Sequence, residues 1–185
     1  MSLPGHNSPH SARDEVFSSL WRSDVLVFNI GAFFHDDADA HARFTEALER
    51  FLSWTREHYK GTVIWREYAP THFDTRDGEF SMGAEHRGGR KGVLPACKAY
   101  DPQDPSLSPE DHAAHYSNYR LVLGNQIMEK AGVPIMRIWN QSLTQPQGEL
   151  QHPGRGDCRH FMAKSSVMEH WTDVLYNMIV PTDME

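Results

Sequence analysis

Three short apolar runs, separated by long segments of helical periodicity, decide the fold class of this chain. The runs are "DVLVFNIG" (24–31), "TVIWREY" (62–68) and "VPIMRIW" (133–139). Each has strand length and is rich in β-branched or aromatic residues. Between the first two, Asp36 to Tyr59 has the pattern of a helix. Phe44, Ala47, Leu48, Phe51 and Leu52 fall at i, i+3, i+4, i+7 and i+8 and so share one face. Gly61 is placed to end it. Between the second and third runs, Pro109 to Ala131 reads as another helix, capped by Ser108 and stopped by Gly132. Tyr116, Tyr119, Leu123 and Ile127 mark its buried side. "SSVMEHWTDVLYNMIV" (165–180) is the last helix, turning Val167, Trp171, Val174, Leu175 and Met178 inward. Parallel neighbours need a crossover, so strand–helix–strand–helix–strand implies a parallel α/β sheet flanked by helices in three layers. Three strands make a small sheet, and the expectation is that its first strand or strands are missing in front.

The remaining stretches are irregular. Residues 1–11 are rich in Pro, Gly, Ser and His and are expected to be disordered, with a short helix over 12–23. The loop over 69–108 and the segment 140–164 lack periodic apolar positions, and loops of such length tend to carry function. One domain over 24–180 accounts for the rest of the 185 residues. A net charge of −7 argues against a nucleic-acid partner, because phosphate binding needs a basic face. No apolar run approaches the roughly 20 residues that span a bilayer, and no signal-peptide pattern opens the chain. Two cysteines are too few for a disulfide scaffold and have no C-x-x-C spacing; on their own they read as two unrelated thiols. His112 and His115 share a helix face but lack a third ligand nearby, so a solvated surface is expected there and no metal site.

Ligands of an open parallel sheet bind beyond the carboxyl ends of its strands. After the first strand, "FNIGAFFH" brings Asn29 and Gly31 there. After the second, "REYAPTHFD" brings Arg66, Pro70 and His72. After the third and its loop, "GDCRHF" brings Asp157 and His160. An Asp three residues before a His, on one turn, can orient the imidazole and stabilise its cation when the far nitrogen takes a proton. An Asn side chain or a glycine N–H at a strand end can donate to an oxyanion. Arg66 can stabilise the same charge or pair with a carboxylate.

Taken in order, these three blocks resemble those of the trichome birefringence-like polysaccharide O-acetyltransferases and their PC-esterase relatives, a branch of the SGNH-type hydrolases. That family has "VFNTGHWW", "R-T-x-S-P-x-H" and "D-C-x-H-W…W-N-x-L-L-Y" at these places. Asn29 and Gly31 match the first block, and Arg66, Pro70 and His72 the second. Asp157, Cys158, His160, Trp171, Leu175 and Tyr176 match the third. The resemblance covers about residues 22–180. Ile30, Ala32, Phe33, Phe34, Glu67 and Ala69 depart from it, which points to a distant branch with an altered pocket.

The resemblance implies an SGNH-like fold and an O-acyltransferase, most simply of acetyl groups to a polysaccharide hydroxyl. His160 is then general base and acid, and Asp157 its orienter. Asn29, Gly31, Arg66 and His72 become oxyanion or substrate contacts, and Cys97 and Cys158 a disulfide. It implies no cofactor beyond an acyl donor such as acetyl-CoA or an acylated carrier, a glycan partner, and a secretory setting such as the Golgi lumen. The acceptor pattern Asn140-Gln141-Ser142 agrees with that setting. The family's nucleophile is the serine of a G-D-S block upstream of the first block here, and no G-D-S occurs in this chain. Ser2, Ser8, Ser11, Ser18, Ser19 and Ser23 precede the first strand, and none sits in the sharp turn that activation requires. The chain is therefore expected to carry the acid–base half of a triad and to be inactive alone. A carbohydrate O-acyl esterase and a glycan-binding pseudoenzyme are the alternatives.

Overall fold

The computed structural model describes residues 23–34, 39–79, 97–145, 152–153 and 156–180. Strands β1 (Val25–Phe28), β2 (Thr62–Arg66) and β3 (Ile135–Met136) lie in that order in one parallel sheet. Val27 pairs with Ile64, Phe28 with Trp65, and Trp65 with Ile135. Helix α1 (Ala40–His58) crosses from β1 to β2; α2 (Pro109–Ala114) and α3 (Tyr119–Ala131) lie between β2 and β3. Helices α4 (Trp139–Leu143) and α5 (Ser166–Ile179) follow. The tail and short helix expected before Ser23, and residue 36 as a helix start, lie outside the described residues.

Strand alternation sorts the side chains into two cores. Phe28, Trp65 and Ile135 face α1 and α3, where Phe44, Leu48, Leu52, Tyr119 and Met128 are buried. Val25, Val27, Ile64 and Met136 face α5, where Val167 and Trp171 close the other side. The fold is a small α/β arrangement with helices on both faces of the sheet. Each buried Leu or Phe contributes about 1.5–3 kcal/mol of transfer free energy. Gly124 lets α3 approach the sheet: a Cβ there would stand 2.7 Å from Trp65. Among the described residues, no helix is long and apolar enough to cross a membrane.

Several boundaries differ from expectation. Pro109 to Ala131 is two helices, because Asn118 caps α3 by accepting the Arg120 amide and so breaks the run at residues 115–118. Tyr116 falls in that break and is exposed. The third strand ends at Met136, and α4 begins at Trp139. Its cause is Glu67, whose Oε2 accepts the Ile138 and Trp139 amides at 2.8 Å each and binds the start of α4 to the end of β2. Gly61 is not a left-handed cap; a Cβ there would meet the Asp24 carbonyl at 2.5 Å. Gly132 is the left-handed cap, at φ +70°. His115 is buried against Tyr100 rather than solvated, and among the described residues no group of three or more His, Cys, Asp or Glu is arranged to hold a metal ion.

Candidate active site

The carboxyl ends of β1 and β2 are joined by one side chain. Asn29 Nδ2 donates to the Arg66 carbonyl at 2.9 Å, and Asn29 Oδ1 accepts the Gly31 amide at 3.0 Å. An amide nitrogen carries two hydrogens, so Nδ2 keeps one to donate. Gly31 is glycine because the chain passes Tyr68 closely: a Cβ would stand 2.7 Å from that ring. Its amide is already engaged by Asn29, so the expected role of Gly31 as an oxyanion donor does not hold in this arrangement.

The Asp157 turn is built from its own carboxylate. Gly156 enters it at φ +77°. Asp157 Oδ1 accepts the Arg159 amide at 3.1 Å and the His160 amide at 3.0 Å, while Oδ2 lies 2.8 Å from His160 Nδ1. Partial burial pushes the Asp157 carboxyl up, but these hydrogen bonds outweigh it and hold its pKa below the usual value. With Nδ1–H directed at the carboxylate, Nε2 of His160 is left as the basic nitrogen. The ring is open to solvent, its side chain 73% exposed.

Two irregular segments, around His72 and Cys97, hold this turn in place. Cys97 and Cys158 form a disulfide, with Cα atoms 5.2 Å apart. The His72 amide donates to the Cys158 carbonyl at 2.9 Å, and the Lys98 amide to the His72 carbonyl at 2.8 Å. Phe73 and Cys97 form an antiparallel bridge. The turn is thus tied to both sides of the long loop.

His72 lies beneath this frame and not in the cleft, which corrects its expected place among the substrate contacts. It is 1% exposed. Its Nε2 is 3.3 Å from the Leu143 carbonyl and its Nδ1 3.1 Å from His152 Nε2; His152 Nδ1 in turn meets the His160 carbonyl. Burial, with His152 beside it, lowers its pKa to about 4. Its task is to support the backbone on which His160 stands.

Asn29, Arg66 and His160 do meet, in a cleft of about 260 Å³ beyond the ends of β1 and β2. Tyr68, Arg159 and Trp171 complete its polar and aromatic wall. Arg66 lies over the Trp171 ring, 4.8 Å from its centroid, and burial lowers its pKa from the usual value. Arg159 Nη1 donates to the Ala32 carbonyl at 3.3 Å and to the Tyr68 hydroxyl at 3.4 Å. Tyr68 in turn donates to Glu79 at 3.3 Å, and burial first, then Glu79, raise its pKa to about 12. Sequence reasoning passed over Tyr68 and Arg159, although both lie inside the quoted blocks. His152 carried no signal at all. Among the described residues that line the cleft, none is Ser, Thr or Cys. The arrangement can bind a small polar group and move a proton at His160 Nε2. Comparison with family models, curated proteins and solved structures finds no match to this chain.

Proposed function

We propose that this chain carries the general-base half of an SGNH-type O-acyltransferase, moving an acetyl group onto a polysaccharide hydroxyl. The observation that carries the reading is the Asp157–His160 pair at the rim of a cleft, with no partner on His160 Nε2 among the described residues. Among the described residues β1 pairs only with β2, and the proposed reading calls for a strand bearing a Gly-Asp-Ser turn at its other edge. The Cys97–Cys158 disulfide supports an oxidising, secretory setting.

In this scheme a serine from outside the chain gives its hydroxyl proton to His160 Nε2 as its oxygen attacks the acyl carbonyl of the donor. The donor's leaving group takes that proton away. An acceptor hydroxyl then loses its proton to Nε2, attacks the acyl-serine and leaves as the ester, and the serine oxygen regains the proton. Asp157 steadies the imidazolium formed in each half. The remaining N–H of Asn29 serves the oxyanion, a contribution of about 3–4 kcal/mol where such donors are well placed.

Exposure of His160 favours a second reading, hydrolysis with water as acceptor. The test uses the longest in-frame product that contains this chain, supplied with an acetyl donor with and without polysaccharide. Acetate appearing on the polysaccharide supports transfer; acetate released equally without it supports the esterase. A product that forms no acetyl-enzyme leaves only a glycan-binding remnant.

A further inference from the structure

Arg66 is, among the described residues, a cation without a counter-ion. Among the described residues its guanidinium makes no hydrogen bond and no ion pair; its sole recorded partner is the face of Trp171 at 4.8 Å. The buried Arg120 and the exposed Arg137 differ. Arg120 reaches Glu79 and the Phe34 carbonyl, and Arg137 reaches Glu67 and Glu129. A partly desolvated charge left unpaired is unfavourable unless something supplies the opposite charge. The surroundings do not. Among the described residues no Asp or Glu lines the cleft, although the chain as a whole carries −7. Arg159 and His160 stand on the same wall, with Asn29 and Tyr68 as hydrogen-bonding groups and Phe161 and Met168 as apolar surface. A guanidinium with all its N–H groups free is shaped to grip a carboxylate or sulfate through two oxygens.

We propose that this cleft binds an anionic substituent of a sugar, carboxylate or sulfate, on the Arg66 guanidinium, so that the glycan it takes is an acidic one. The sugar in this proposal rests on the glycan reading above; the anion rests on Arg66 alone. The small cavity suits one substituted ring, with Phe161 and Met168 against its apolar face and the charged group on Arg66. The Trp171 face holds the guanidinium at 4.8 Å without using its donors, which leaves them for a ligand.

The test is a binding titration of the 185-residue protein, which needs no acyl transfer and so stands or falls apart from the activity. Methyl glucuronide, a methyl glucoside sulfate, methyl glucoside and inorganic sulfate are titrated against tryptophan fluorescence and the Arg66 Nε–H resonance. One or both acidic sugars bind about tenfold or more tightly than methyl glucoside, and the better of the two identifies the anion. Arg66→Gln removes that preference, and Arg66→Lys keeps part of it by charge alone. The wild-type Arg66 resonance gives the answer even where a variant fails to fold. Equal binding of neutral and acidic sugars overturns the proposal, as does a preference that survives in Arg66→Gln or an Arg66 resonance that does not move. Inorganic sulfate binding as tightly as the sugar sulfate overturns the acidic-glycan assignment.

Discussion

The Asp157 carboxylate holds His160 twice, by its backbone amide at 3.0 Å and by its ring Nδ1 at 2.8 Å. One side chain therefore sets both the position of the turn and the orientation of the imidazole. Asp157→Asn leaves the shape but removes the charge that steadies an imidazolium. In the longest in-frame product that contains this chain, the proposed function predicts a kcat lower by about 10³-fold or more with little change in KM. Steady-state kinetics on the variant checks this. Because the folded Asp157 pKa is depressed, the stability from these bonds is present above the usual carboxylate range. It is lost as pH falls through the folded value.

His72 carries the acid sensitivity of the frame. Its folded pKa, about 4, lies below the ordinary histidine value, so the fold favours the neutral ring. Two carbonyls close the His72–His152 row, and three contacts ask for three protons where two neutral rings bring two. Acid supplies the third, but burial is the larger effect and opposes it. Stability is therefore full above about pH 6.5 and falls towards pH 4, by about 3 kcal/mol in all. Urea midpoints at pH 7.5 and 5 measure the loss; His72→Gln flattens the dependence and is less stable at the higher pH.

Glu67 offers a check on the fold rather than the chemistry. Its buried carboxylate also accepts from Asn125 at 2.8 Å and from the exposed Arg137 at 3.3 Å, besides the two amides at the start of α4. Glu67→Ala orphans those amides and should cost about 3 kcal/mol. Chemical denaturation gives the value, and amide exchange at Ile138 and Trp139 accelerates beyond the global change.

The Cys97–Cys158 bond closes a loop between residues 61 apart. Its removal is expected to cost about 4 kcal/mol, mainly by freeing the unfolded chain. Comparing unfolding of the oxidised protein with the Cys97→Ala, Cys158→Ala double variant tests it. Since the bond anchors the Asp157 turn, the variant should also broaden the His160 ring resonances in the folded state.

What could be read from the sequence was what is local. The three apolar runs declared the strands, and the face of α1 followed from spacing alone. The contact between Asp157 and His160 was legible because an i, i+3 pair on one turn can meet locally, whereas the ties of that turn to Cys97 and His72 were not. The break at Asn118 was hidden, since apolar periodicity continues through it and a cap competes with helix propensity only once the turn forms. Glu67 stood out in the sequence only as a departure from the family's pattern; its four donors come from residues about 60–70 positions away. Arg66 shows the same limit from the other side, because a chain with 25 acidic residues gives no hint that one arginine has no ion pair among the described residues.

The most direct test of the account is acetyl-enzyme formation by the longest in-frame product, measured for the wild type and for His160→Ala with the fold verified by circular dichroism. The account predicts an acetylated serine that forms in the wild type and slows by about 10³-fold or more in His160→Ala. An acetylated serine that forms at the same rate in both would contradict the role assigned to the Asp157–His160 pair.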